Sequence, residues 1–355
     1  MTISITPSRQ PSTAGPGAED QSQATRSVRR AVGLVVAFGC MVVLILLSIA
    51  LGSKGIPLVD VWHALFTPDG SENDYIIETL RIPRTIVGLV VGAALGLSGA
   101  LIQALTRNPL AEPGILGVHA GSAFFVALAI GLLGVTDITG YMWFAFTGAL
   151  LVTVMVMLLG STRNGSSPIM MVLAGVSIGA ILGGATSALT LTNPDAFDQM
   201  RGWNAGSIVG RPLEILWPIL PFLVIGMILA FIVCGPLNVI ALGDDLAVAQ
   251  GVHLARTRLL AITALTLLAG GATAIAGPIG FVGLMVPHVA RWITGPDQRW
   301  IFTYSILLAP SLLLASDIIG RIIMRPSEIP VGIITAFIGA PILILLVRRK
   351  KASAL

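Results

Sequence analysis

The sequence predicts an all-α polytopic membrane protein, and three observations carry that reading. Of its 355 residues 55% are hydrophobic and 11% charged, whereas a soluble domain carries about 25% charged residues. Mean hydropathy is +0.91, and the apolar residues are gathered into about ten runs close to the ~20 residues that a helix needs to span a bilayer. The 40 glycines and 21 prolines suit membrane helices, where small residues let backbones approach closely.

Taken in order, residues 1–30 are rich in Ser, Thr, Pro, Gln and Gly and read as a disordered cytoplasmic tail. The apolar run that follows, 31–51, is too long for a signal-peptide core and sits behind a long polar segment, so it is the first span. Ten spans follow the apolar runs: 31–52, 83–106, 114–134, 141–160, 168–192, 212–235, 257–277, 279–294, 299–320 and 330–348. The eighth is short and is parted from the seventh by the Gly277-Pro278 turn alone. One transmembrane domain thus covers 31–348, and residues 349–355 form a basic cytoplasmic tail.

Orientation follows from the cations, since Lys and Arg are held on the cytoplasmic side. With both termini inside, 14 of the 21 Lys and Arg lie inside and 7 outside, the bias coming mainly from Arg29, Arg30 and the C-terminal tail. The sequence pI near 9.5 therefore reads as membrane topology rather than as a nucleic-acid surface. Cys40 and Cys234 lie in apolar segments and make neither a disulfide framework nor a metal site.

A faint internal repeat is present. Gly92, Gly99 and Pro109 recur as Gly270, Gly277 and Pro287 at a constant offset of 178 residues. The first copy descends from outside and the second rises from inside, an inverted-topology pattern found in transporters.

Chemistry-bearing motifs are scarce. No Gly-x-x-x-x-Gly-Lys-Ser/Thr sequence occurs, so no phosphate-binding loop is expected in this chain. His63, His119, His253 and His288 are scattered without metal-ligand spacing, and no metal is expected. Ion-driven transporters keep carboxylates deep in the bilayer. Here Glu214 lies at the start of a span, and Asp317 lies four residues before Arg321, on one helix face, where the two would pair. An ion-coupled secondary transporter is the rival class, and this shortage of deep acids argues against it.

Two stretches point to movement and passage. In the inner loop 237–258, Asp244 and Asp245 after Gly243 favour a helix start through the macrodipole. Ala247, Val248 and Ala249 form an apolar patch, Gly251 before Val252 reverses the chain, and a second short helix follows. Two short helices flat on the membrane surface would fit a groove on a partner. In the fifth span Gly175, Gly179 and Gly183 recur every four residues, with Thr186, Ser187 and Thr190 adding hydroxyls. Such a wall suits either passage of a bulky substrate or tight helix packing. Gly88, Gly92 and Gly96 in the second span have the same spacing and read as packing residues.

Three separated blocks resemble the integral-membrane permeases of the iron-siderophore/cobalamin (FecCD-type) ABC importers. They are RIPRTIVGLVVGAALGLSGALIQALTRNPLAEPGILG at 81–117, GPIGFVGLMVPHVAR at 277–291, and PSEIPVG at 326–332 leading to Gly339-Ala-Pro341. The resemblance implies a type II ABC importer permease fold with an inverted repeat, working by alternating access. Expected partners are a second permease subunit, two ATP-binding subunits that hold ATP-Mg, and an extracytoplasmic substrate-binding protein. The cargo implied is a ferric siderophore, with haem and cobalamin as alternatives, crossing the cytoplasmic membrane. By position, Arg81, Arg84 and Arg321 would meet acidic residues of the binding protein, as exposed arginines suited to carboxylate recognition. The segment 237–258 would couple to the ATPase. The fifth span, with the tenth, would line the path between two permeases, and Trp203, Gly206 and Ser207 match a family pattern at the outer gate.

Overall fold

An apolar run inside a bilayer has no water to satisfy its N–H and C=O groups, so it forms a helix. The computed structural model, which describes residues 16–162, 165–166 and 168–348, follows that rule. Its helices are α1 (Pro16–Ala50), α2 (Leu58–Phe66), α3 (Glu72–Tyr75), α4 (Ile82–Thr106), α5 (Val118–Leu133), α6 (Ile138–Gly160), α7 (Pro168–Thr192), α8 (Pro194–Asn204), α9 (Leu216–Ile240), α10 (Asp244–Ala249), α11 (Leu254–Ala276), α12 (Val282–Thr294), α13 (Gln298–Ile323) and α14 (Val331–Arg348). A π-helical stretch, Ile76–Arg81, runs directly into α4. The β structure among the described residues is one ladder, Ser161–Thr162 with Gly165–Ser166.

Each of the ten expected spans coincides with a helix. Seven are long and apolar enough to cross a membrane, and Val118–Leu133 and Val331–Leu345 are shorter apolar helices. The eighth is short, as expected: α12 has 13 residues and rises about 20 Å, against a hydrocarbon core of about 30 Å. It is a half-length helix. Gly277 (φ +74°) ends α11 and Phe281 (φ +68°) opens α12, so the chain leaves helical geometry inside the protein. That exposed backbone is satisfied locally: Glu112, in the loop after α4, accepts the Phe281 N–H at 2.8 Å.

The N-terminal segment differs. Composition predicted disorder through residue 30, but α1 begins at Pro16. Proline is pre-organised for the first helical position. The rest of the expected tails, 1–15 and 349–355, lies outside the described residues.

α4 and α11 are the most buried of the long helices and pack together at the centre, while α1 and α7 are the least buried. α13 lies along α4, α9 along α11, and α6 along α5; α1 covers α13, and α7 rests on α5 and α6. Glycine sets the distances. A Cβ on Gly92 would meet the Pro310 backbone, one on Gly96 would meet Ala309 and the Ser305 carbonyl, and one on Gly99 would collide with the Gly283 carbonyl. The glycine ribs of α4 are thus packing surfaces, as their spacing suggested. The 178-residue offset marks the two central helices but not equivalent positions. Gly92 and Gly270 lie inside α4 and α11, whereas Gly99 is within α4 and Gly277 ends α11.

These contacts predict a contrast between two alanine substitutions. Gly99→Ala forces α4 from α12 and costs about 1–3 kcal/mol, the range for overpacking. Gly183→Ala, whose Cβ meets nothing within 4 Å, leaves stability unchanged or slightly raised. Thermal unfolding of the purified variants in one detergent measures both.

Candidate functional site

One end of the bundle is organised by charge. α1 ends at Ala50, and its last carbonyls need donors. Arg81 supplies them from the turn before α4, donating Nη1 to the carbonyls of Ile49 (2.8 Å) and Ala50 (2.7 Å) and Nη2 to Lys54 O (2.6 Å). Arg321, near the end of α13, donates Nη1 to Ser48 O at 2.7 Å and Leu51 O at 3.0 Å. Two guanidiniums thus cap one helix C-terminus, where cations are favoured by the dipole.

Asp317 balances the cluster. Arg84 reaches it in a fork, Nη2 to Oδ1 at 2.6 Å and Nε to Oδ2 at 3.0 Å, and Arg321 Nε donates to Oδ2 at 2.9 Å. Arg84 Nη1 also pairs with Glu328 at 2.6 Å. The i,i+4 pairing of Asp317 with Arg321 is as the spacing predicted. The exposure of the arginines is not: Arg81, Arg84 and Arg321 are 4%, 8% and 1% exposed. Their donors are committed to α1, Asp317 and Glu328, because a guanidinium at this depth needs internal partners. They floor an outward cavity of about 310 Å³ rather than presenting free forks at the surface.

The opposite end holds α10. Gly243 (φ +126°) lets the chain turn after α9. Asp244 then opens α10 and is gripped from two sides, by Arg258 of α11 at 2.7 Å and by Arg107, the left-handed cap of α4. Burial works against the Asp244 charge, but Arg258 and Arg107 outweigh it and hold the carboxyl below the ordinary carboxylate range. Gly251 (φ +82°) reverses the chain, and the Val252 N–H returns to Ala247 O at 2.9 Å.

Two details correct the sequence reading. The second short helix is the first turn of α11, because the chain re-enters a helix at Leu254 and continues unbroken to Ala276. Ala247 is fully buried and is not part of an exposed patch; Leu242, Leu246 and Val248 are the exposed apolar residues, with Asp245 and Ala249 beside them. Arg107, Arg258 and Leu242 were not singled out by pattern. A charge-pair search across segments distant in sequence has no register to follow.

The expected path residues of α7 divide. Gly175 is buried, and a Cβ there would strike the Ile115 carbonyl, so it packs within the subunit. Gly179 would touch Ala120 at the edge of contact, and Gly183 and Ser187 lie on the exposed face. Thr186 and Thr190 return their hydroxyls to Leu182 O (2.8 Å) and Thr186 O (2.9 Å).

A bundle of membrane-length helices with apolar flanks and an ion-paired cluster at each end defines a polytopic membrane protein. The chain belongs to the FecCD transport family, whose model matches residues 40–349. It is 45% identical over 325 residues to the ferric enterobactin transport system permease protein of Escherichia coli (strain K12), covering 91% of this chain and 97% of that protein. It is 37% identical over 324 residues to an Fe(3+)-citrate import system permease protein of Bacillus subtilis (strain 168), covering 91% and 96%. A solved metal-chelate type ABC transporter in an inward-facing conformation superposes with a TM-score of 0.78 at 28% identity, over 90% of this chain and 99% of that one. The resemblance drawn from the three sequence blocks is thereby established.

Two predictions test the ends. Asp317→Asn leaves Arg84 and Arg321 buried without their shared counter-charge and costs about 3–5 kcal/mol, read as a lowered melting temperature; Lys54→Ala, which removes the exposed Lys54–Glu72 pair, leaves melting unchanged. At α10, a depressed folded pKa means that the Asp244 tie is intact above the ordinary carboxylate value of about 4 and is lost as pH falls through the folded value. Amide exchange in α10, corrected for the intrinsic rate, therefore rises in Asp244→Asn at pH near 7, and in the wild type only below the ordinary carboxylate range.

Proposed function

We propose that this chain is the membrane-spanning permease subunit of an ABC importer that carries a ferric siderophore or related metal chelate across the cytoplasmic membrane. The observation that carries the reading is near full-length identity to permeases named for ferric enterobactin and ferric citrate, joined to a fold shared with a metal-chelate transporter. The chain performs no covalent chemistry in this reading. ATP-Mg is held by two partner subunits, a second permease completes the path, and an extracytoplasmic binding protein delivers the cargo.

The two clustered ends support a division of labour. α10 offers Leu242, Leu246 and Val248 to a groove on the ATPase, an anchor pattern of the helix-in-groove kind. Asp244 stays with Arg107 and Arg258, so a displacement of α10 is passed to α4 and α11. At the outer end, the exposed cations Lys54 and Arg325 lie at the rim, and Arg81, Arg84 and Arg321 act as the rigid floor beneath the docked binding protein. Both termini are then cytoplasmic, in keeping with the cation bias. Gly183 and Ser187 on the open face of α7 are left to line the path.

The test is uptake of labelled ferric siderophore into vesicles by the complex of this chain with its ATPase, partner permease and binding protein. ATP-dependent accumulation is expected, and removal of ATP abolishes it. Uptake driven by an ion gradient without ATP would overturn the class.

A further inference from the structure

Beside the arginine cluster lies a second outward cavity, of about 590 Å³, bordered by Tyr141, Trp203, Ser207 and Arg211, with Asp198 and Glu328 also on its wall. Arg211 lacks both the carboxylates that hold Arg84 and Arg321 and the three close carbonyls that hold Arg81. It is 8% exposed, yet among the described residues no carboxylate lies within ion-pair distance of it. Its Nε donates to Ser207 O and its Nη1 to Tyr141 Oη, both at 3.3 Å, long for hydrogen bonds. Nη2 has no partner among the described residues. The indole N–H of Trp203, itself 4% exposed, is also without an acceptor there. Glu328 is engaged by Arg84, and Asp198 is exposed to solvent, where its charge is screened.

A buried guanidinium is costly unless close acceptors or an anion satisfy it, and the two acceptors of Arg211 are both distant. The loop that carries it is rigid. Ser207 N–H donates to Ala276 O at 2.7 Å, the Gly332 N–H to Gly206 O at 3.0 Å, and the Val209 N–H to Ser207 Oγ at 3.1 Å. A Cβ on Gly206 would strike the Pro278 carbonyl, and one on Gly277 the Trp203 carbonyl. The loop is thus wedged against the end of α11 and the start of α14, which holds its donors in place. The volume is that of a small-molecule site, and two aromatic side chains with a guanidinium suit a planar oxygen-bearing group.

We infer that Arg211, with Trp203 and Tyr141, forms a subsite for an anionic oxygen group of the metal chelate, a catecholate or carboxylate, taken up as cargo leaves the binding protein. The inference rests on the chelate-import reading and specifies its ligand chemistry. It gives the Trp203–Ser207 stretch a role as the wall of a binding site in addition to its place in the outer loop.

The test is equilibrium binding of ferric enterobactin, an anionic tris-catecholate, to the purified permease–ATPase complex in nanodiscs without binding protein. Arg211→Gln weakens binding by about tenfold, the worth of one charge-assisted hydrogen-bonded contact. Arg211→Lys retains part of the affinity, and neither variant lowers the melting temperature, since each removes or keeps a cation that has no internal counter-charge. Equal binding by wild type and Arg211→Gln would overturn the inference, even where ATP-driven uptake persists and the import reading stands. Arg211-dependent binding without any ATP-driven uptake would keep the subsite and remove the import reading. Affinity for the cargo-free binding protein is measured alongside; its loss in Arg211→Gln, with chelate binding unchanged, would assign the anion to that protein and overturn the inference.

Discussion

The end of the structure that holds Arg81, Arg84 and Arg321 depends on one constraint: a helix that ends inside the protein must have its last carbonyls satisfied. α1 meets that requirement with two guanidiniums, Arg81 and Arg321, drawn from elements far apart in sequence. Burying those cations requires a counter-charge, and Asp317 supplies it while also holding Arg84. The cluster therefore fixes α1, α4 and α13 to one another. Side-chain hydrogen bonds in a low-dielectric setting strengthen one another when every member is satisfied. Ser48 and Thr85, hydroxyl to hydroxyl at 2.8 Å, close the network.

Below that cluster the bundle is held by close approach rather than by charge. Lipid tails are as apolar as leucine, so burial alone does not drive membrane helices together. Gly92, Gly96 and Gly99 bring α4 against α13 and α12 at backbone distance. The half-length α12 is possible because its non-helical lead-in is enclosed, with Glu112 accepting its first N–H. Irregular backbone at membrane depth is tolerated where protein covers it.

The opposite end, at α10, uses a looser device. Asp244 is partly exposed and is held by two arginines from different helices. Surface pairs of this kind contribute little stability individually. Their value here is directional, because one carboxylate joins α10 to both central helices. Arg211, at the same end as the arginine cluster, is held only by two long hydrogen bonds to Ser207 and Tyr141, and the proposed anion subsite rests on that difference.

The sequence by itself determined the class of the protein, the ten helical segments and the family. Each of these depends on local hydropathy or on contiguous motifs, and both are written in residue order. The spacing of Asp317 and Arg321 was legible for the same reason, since four residues on a helix share a face. What the tertiary structure alone decided was the environment of each polar group. Arg81, Arg84 and Arg321 read as exposed because they sit at span ends, but their partners come from α1, α13 and the loop before α14. Ala247 read as part of a patch, yet it is the residue of α10 that is buried where that helix packs on α9 and α11. Gly175 and Gly183 share a sequence spacing, but the carbonyl of Ile115 faces only the first. Burial and pairing are set by which distant segments arrive at a side chain, and a one-dimensional pattern does not contain that distance.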